Sequence, residues 1–176
     1  MTNLKMSSWY ALQVAPNMEI RVVAALSAKG YESFTPTYSR KRSSLGRVRV
    51  SESPLFPGYV FFRLSQDNTG LAIATAGVRR IVAFGGKPCP ILEQEIEALQ
   101  KIIRSEAKAS QCAFIREGEK VMVGEGPLAG VVGTLLKIKK NRKLVVSIDI
   151  LMRSIAVDIG SYTIVSAEGP SLRVAA

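Results

Sequence analysis

The chain has 176 residues, 47% of them hydrophobic and 22% charged, a balance that suits a folded protein and excludes a disordered one. A formal net charge of +10 favours a polyanionic neighbour, and the count of zero histidines removes Ser-His-Asp and Cys-His chemistry and most zinc sites. The two cysteines lack metal-ligand spacing, no apolar run approaches the ~20 residues of a membrane span, and the first residues lack a signal-peptide layout, so the expectation is a cytoplasmic protein without cofactor or metal.

In chain order, residues 8–15, SWYALQVA, alternate as a strand that Pro16-Asn17 ends. Asn17 reads as the N-cap of a helix through Lys29, with Glu19 in its first turn, an apolar stripe of Ile20, Val23, Ala24 and Leu26, and Gly30 as its stop. A short strand covers residues 31–35. Residues 37–50, TYSRKRSSLGRVRV, place Arg40, Lys41, Arg42, Arg47 and Arg49 about a Ser-Ser-Leu-Gly centre and read as an exposed hairpin tip or arm. Residues 53–64, SPLFPGYVFFRL, set a Phe56-Pro57-Gly58-Tyr59 turn before a strand of Val60, Phe61, Phe62 and Leu64. Asp67-Asn68-Thr69 can cap a short helix over 69–76. A strand over 80–84, a turn over 85–88 and a helix over 93–104 follow, the last with Ile96, Leu99, Ile102 and Ile103 on one face. The order β-α-β-β-α-β predicts a ferredoxin-like, split-βαβ domain in an α+β chain.

Composition shifts to small and polar residues over 105–111, which places a domain boundary there. The resulting division is an N-terminal domain over 7–105, a flexible linker over 106–115 and a C-terminal domain over 116–168. The last region offers short β-branched runs at 120–123, 131–138, 144–150, 155–159 and 162–165, the spacing of a small all-β barrel. Lys137, Lys139, Lys140, Arg142 and Lys143 gather at one hairpin tip, which either touches RNA or keeps the tip soluble.

Gly118, Gly126, Gly130 and Gly133 recur between β-branched residues, with no GxxxxGK[ST] and therefore no P-loop. Their spacing around Val121 and Val123 resembles the KOW motif. Ahead of it stand Trp9-Tyr10, LFPGYVF at 55–61 and GVRRIVAFGGKPCPI at 77–91. Together these resemble the NusG family of bacterial transcription elongation factors, over nearly the whole chain.

The resemblance implies a non-enzymatic, monomeric factor that binds RNA polymerase, suppresses pausing and modulates termination. The family's contacts to the clamp helices of the polymerase β′ subunit map onto Tyr10, Phe56, Pro57, Tyr59 and Phe61. Period-two alternation puts Tyr59 and Phe61 on one face of the strand and Val60 and Phe62 on the other. One face must be core, and the Tyr59/Phe61 face is taken as the binding one. Asn68 and Thr69 fall where the family approaches the gate loop of the β subunit, or else simply cap a helix. Arg21, Arg40, Lys41, Arg42, Arg47, Arg49, Arg79 and Arg80 fall on the side facing upstream or non-template DNA. Ile150, Leu151 and Arg153 fall where the family's barrel meets ribosomal protein S10 or the termination factor Rho. Family members usually carry a glycine near Met152, and its absence tells against Rho more than S10. One branch of the family folds this domain as a helical hairpin, but the valine pairs 131–132 and 145–146 favour strands. The arm, the net charge and the loop IDILMRSIAVDI lean towards a specialised paralogue serving particular long operons. The alternatives are a general housekeeping factor and a ribosome-associated KOW protein that binds RNA, whose aromatics would be plain core.

Overall fold

The computed structural model of the chain describes residues 7–44, 47–64, 69–105, 107–112, 114, 118–138, 141–160 and 162–167; for residues 41–44, 47–49, 137, 138 and 141 it describes the backbone alone. The chain divides into two compact units, Met1–Ile96 and Glu97–Ala176.

In the first unit the path runs β1 (Ser8–Val14), α1 (Glu19–Ala28), β2 (Ser33–Phe34), β3 (Thr37–Ser44), β4 (Arg47–Pro54), β5 (Tyr59–Leu64), α2 (Thr69–Ile73), β6 (Val78–Ile81), β7 (Ala83–Phe84) and β8 (Lys87–Pro88). A helix, α3 (Glu93–Arg104), follows, and the division at Ile96/Glu97 falls within it. The central sheet has the order β2-β5-β1-β6, with every neighbour antiparallel. These four strands with α1 and α2 make the ferredoxin-like β-α-β-β-α-β path. The pair β3–β4 is a ribbon of its own, inserted between β2 and β5.

Alternation along β1 and β5 explains the core. Leu12, Val14, Val60, Phe62 and Leu64 share one face and pack against Val22 and Leu26 of α1 and Ala72 of α2. Burying side chains of this kind contributes roughly 1.5–3 kcal/mol each before the entropy of ordering them. Helix α1 departs from the sequence reading in two ways. Asn17 is not its N-cap: Pro16-Asn17 forms a turn in which Asn17 takes φ 61° and the Met18 N–H donates to the Ala15 carbonyl at 3.1 Å. Proline second and a left-handed residue third fits a type II turn, which asparagine tolerates. The helix therefore starts at Glu19, and its inward residues are Glu19, Val22 and Leu26. Ile20, expected in the stripe, is 58% exposed.

The second unit adds β9 (Ala109–Cys112), β10 (Lys120–Val123), β11 (Val132–Ile138), β12 (Asn141–Ile148), a single 3₁₀ turn (Asp149–Leu151), β13 (Arg153–Asp158) and β14 (Ile164–Ser166). They form one sheet of order β14-β10-β11-β12-β13-β9, antiparallel throughout. The region is β-structured, as the valine pairs require, and not a helical hairpin. Ala109–Cys112 pairs with β13, so this part of the segment expected as a linker is a sheet edge and not a free tether. Both cysteines are free, and burial pushes the Cys112 thiol up against the opposing charge of Lys143. No helix among the described residues is long and apolar enough to cross a membrane.

Candidate interaction surfaces

The turn at residues 56–59 is held by three hydrogen bonds, one within the turn and two to distant parts of the chain. The Tyr59 N–H donates to the Phe56 carbonyl at 3.1 Å, and the Gly58 carbonyl accepts from the Val14 N–H at 2.9 Å. The Gly58 N–H donates to Oε1 of Glu19 at 2.7 Å. Gly58 sits at φ 83°, where a side chain would be strained, and Pro57 pre-sets the residue before it. Glu19 is 4% exposed, so a buried carboxylate on α1 fixes a turn 39 residues away. Removing that acceptor leaves the Gly58 N–H unmatched. Glu19→Ala is expected to cost about 1–3 kcal/mol in thermal or urea unfolding, with Glu19→Gln recovering part of it.

Strand register decides which aromatics share the turn's face. Ala11 pairs with Phe61, Gln13 with Tyr59 and Trp9 with Arg63, so Trp9, Ala11, Gln13, Tyr59, Phe61 and Arg63 lie together on the face opposite α1. A chain of rings runs from Trp9 to Phe34 (5.4 Å), Phe34 to Phe61 (5.4 Å) and Phe61 to Phe56 (5.6 Å). Phe61 is 0% exposed and Phe56 1%. These two, expected as contact residues, form the packed base of the corner. Pro57 is exposed and Tyr59 half-buried. Tyr10 pairs with Phe62 and packs 6.3 Å from its ring, on the α1 face, so it is not brought together with Tyr59. Trp9, its neighbour, is the residue on the turn's face.

Polar residues border this corner. Arg80 Nε donates to Gln13 Oε1 at 2.7 Å, placing an exposed guanidinium in the row Arg80–Gln13–Tyr59. Arg63 donates to Glu93 at 2.9 and 3.1 Å and to Glu32 at 3.3 Å, and stands 5.5 Å over the Trp9 ring. The Trp9 Nε1–H also donates to Glu93 at 3.3 Å. The sequence reading missed Trp9, Phe34, Glu19, Gln13 and Arg63. Their link is cross-strand register, which one strand's composition does not carry.

In the second unit, β12 and β13 are joined by residues 149–152. Leu151 is buried, Ile150 half-buried and Arg153 exposed, so the three residues expected as one contact group divide between core and surface. Met152 is 68% exposed and takes φ 48°, the left-handed conformation for which glycine is the usual residue. Its N–H closes the turn on the Asp149 carbonyl at 3.0 Å. The loop thus makes a glycine-type turn with a methionine in it, and presents a thioether where hydrogen would be. Arg142, of the lysine-rich tip, donates to the carbonyls of Gly160 (2.8 and 3.1 Å) and Tyr162 (3.1 Å), a structural clasp that ties its guanidinium to the protein.

The sequence profile described as "Transcription termination factor nusG" matches residues 7–100. This chain belongs to the NusG family. It is 29% identical over 166 residues to the transcription termination/antitermination protein NusG of Pasteurella multocida, covering 86% of this chain and 90% of that one. It is 28% identical over 181 residues to the NusG of Thermus thermophilus, covering 90% and 98%. The solved structure described as "Domain interaction in Thermotoga maritima NusG" aligns with TM-score 0.53 at 19% identity, over 93% of this chain and 98% of that one, a likeness of fold. The chain is a NusG-family termination/antitermination factor, and the family is one of transcription factors, not enzymes.

The remaining expected positions of this NusG-family chain scatter. Thr69 opens α2 and is half-buried; Asn68 lies outside the described residues. Arg21 on α1, Arg40 on β3, and Arg79 and Arg80 on β6 are exposed. Lys41, Arg42, Arg47 and Arg49 take their places in the β3–β4 register.

Proposed function

We propose that this NusG-family factor binds RNA polymerase through the face presented at Pro57, Tyr59, Gln13 and Arg80, docking on the clamp helices of the β′ subunit and favouring the closed, elongating polymerase by differential affinity. The observation that carries the reading is the Glu19-locked Pro57-Gly58 turn, which holds an aromatic edge out from a packed base of Phe56 and Phe61. A rigid aromatic beside an apolar proline is a good anchor, because little entropy is lost when it docks. Phe56 and Phe61 act as its foundation. Thr69 stands towards the gate loop of the β subunit in this reading, and the exposed arginines face upstream or non-template DNA. The loop over 149–153 recruits ribosomal protein S10 or Rho, with Met152 and Arg153 as its accessible residues. The arginine-bearing arm and the left-handed Met152 support a specialised paralogue over the general factor.

The test is retention of core RNA polymerase on the immobilised full chain. Pro57→Ala/Tyr59→Ser removes exposed contact and leaves the buried rings in place. Its retention should fall about ten-fold or more, as expected for loss of a contact worth upwards of 1.4 kcal/mol. Unchanged retention by a variant that melts like the wild type would remove the clamp reading.

A further inference from the structure

Met18, Met122 and Met152 are the methionines among the described residues. Two of them are shielded. Met18 packs against the core of the first unit, where a Cβ built on Gly77 would lie 3.0 Å from its Cε. Met122 is half-buried on β10, with Val132 and Val165 as its cross-strand partners. Met152 differs. It is 68% exposed at the end of the loop that joins β12 to β13.

The backbone holds that side chain in an unusual way. Met152 takes φ 48° and ψ 45°, and its N–H closes on the Asp149 carbonyl at 3.0 Å. A residue with a Cβ is sterically strained there, and such strain persists only where the surroundings impose it. The strands impose it here, with Ile148 paired to Arg153 and Ser147 to Ser154. The exposed side chain recovers little of that cost by packing within the chain. A thioether held out on a fixed turn suits an apolar pocket on another molecule, because it is flexible and polarisable. The same exposure opens its sulfur to oxidants. The other sulfur near this loop is protected. Cys112 pairs with Ser154 from the edge strand β9, and burial pushes its half-buried thiol up against the opposing charge of Lys143. It is thereby kept in the protonated, unreactive form. A thioether has no proton to lose, so Met152 reacts without that requirement.

We propose that Met152 is an oxidant-responsive modification site, at which conversion of the thioether to the sulfoxide weakens partner binding by the loop over 149–153 and reduction restores it. The inference rests on the reading of this loop as the contact for ribosomal protein S10 or Rho, and adds its regulation. In the forward step the sulfur lone pair attacks one oxygen of hydrogen peroxide. The S–O bond forms as the O–O bond breaks, sulfur gives up two electrons, and the departing hydroxide takes the proton from the transferred oxygen to leave as water. The product is polar and chiral, and fits poorly where an apolar thioether docked. In the reverse step a methionine sulfoxide reductase returns two electrons from a pair of thiols, giving thioether, disulfide and water.

The experiment exposes the full chain to hydrogen peroxide for graded times and follows oxygen gain by mass spectrometry after trypsin digestion. Cleavage after Lys143 and Arg153 leaves Met152 as the sole methionine of its peptide. Met152 should gain oxygen at least about five-fold faster than Met18 or Met122, and the difference should vanish in urea-unfolded chain. Equal rates in the folded chain would overturn the site. The immobilised full chain is then tested for retention of purified S10 and, separately, of Rho. Untreated chain should retain at least one of them, and peroxide should lower that retention about ten-fold, with recovery on treatment with the reductase. Met152→Leu keeps an apolar side chain without sulfur and should retain the partner before and after peroxide. Equal loss in that variant would overturn the assignment to Met152, since the cysteines and the other methionines remain in it. Unchanged retention by fully oxidised wild type would overturn the switch and leave the loop reading standing. No retention of either partner by untreated chain would overturn the loop reading and the switch with it.

Discussion

Replacing Phe61 by alanine should lower the stability of the N-terminal unit by about 3–5 kcal/mol. The ring is 0% exposed, stacks on Phe34 and meets Phe56 edge to face, and its cross-strand partner is the small Ala11, which cannot fill the space it would vacate. A unit of about 96 residues carries roughly 5–14 kcal/mol in total, so the variant stands at the edge of folding. The chain has one tryptophan, Trp9, and it lies 5.4 Å from Phe34 in the same ring chain. Its fluorescence in a urea titration therefore reports on this unit. A midpoint shift worth less than about 1 kcal/mol would mean that Phe61 is no core residue and would return it to the set of direct contacts. Tyr59→Ser, on the same face but half-buried, should cost clearly less. The two substitutions separate foundation from contact, and a polymerase-binding experiment on Phe56 or Phe61 would confuse them.

That separation was not legible in the sequence, for a physical reason. Period-two alternation sorts β5 into a Tyr59/Phe61 face and a Val60/Phe62 face, and then requires something to cover one of them. Here α1 and α2 cover Val60 and Phe62, while Phe34 and Phe56 pack about Phe61 on the other side and Trp9 packs on Phe34. These partners come from β1, β2 and the turn, and composition does not say which strands become neighbours. Features carried by local pattern read well. Helix α3 was expected over 93–104 and occupies Glu93–Arg104, because Ile96, Leu99 and Ile102 recur at helical spacing between charged residues. Strand β10 was expected over 120–123 and occupies Lys120–Val123. Helix α1 read less well, since an inward glutamate looks like a favourable first-turn charge until its distant partner, the Gly58 N–H, is known. Met152 shows the same limit. A turn that normally takes glycine formed with methionine, because the strands β12 and β13 on either side impose it.

Gly133→Ala should disrupt the C-terminal sheet by about 3 kcal/mol, the upper end of the cost of overpacking a core. A Cβ built on Gly133 would lie 2.5 Å from the Val145 carbonyl oxygen and 2.9 Å from Cγ of Leu144, so it would meet backbone that cannot rotate away. β11 would have to part from β12 at the centre of the six-stranded sheet. A unit of about 80 residues holds roughly 4–12 kcal/mol, and this substitution takes a large share of it. Gly70→Ala is the control: nothing lies within 4 Å of its added Cβ, and in helix α2 alanine should be neutral to stabilising by up to about 1 kcal/mol. Calorimetry on the two full-length variants checks the contrast, and equal melting would mean that β11 and β12 have slack at this point. The functional consequence follows from the position of the loop over 149–152. It is held at one end by β12 and at the other by β13, with Ser147 and Ser154 bridged by their hydroxyls at 2.7 Å across its neck. Loosening β12 should therefore abolish whatever binding depends on Met152 and Arg153. Polymerase retention through Pro57 and Tyr59 should survive, because the Glu19-locked turn draws its support from β1, β5 and α1 of the first unit. Simultaneous loss of both activities would show that the two surfaces do not act as separate binding elements.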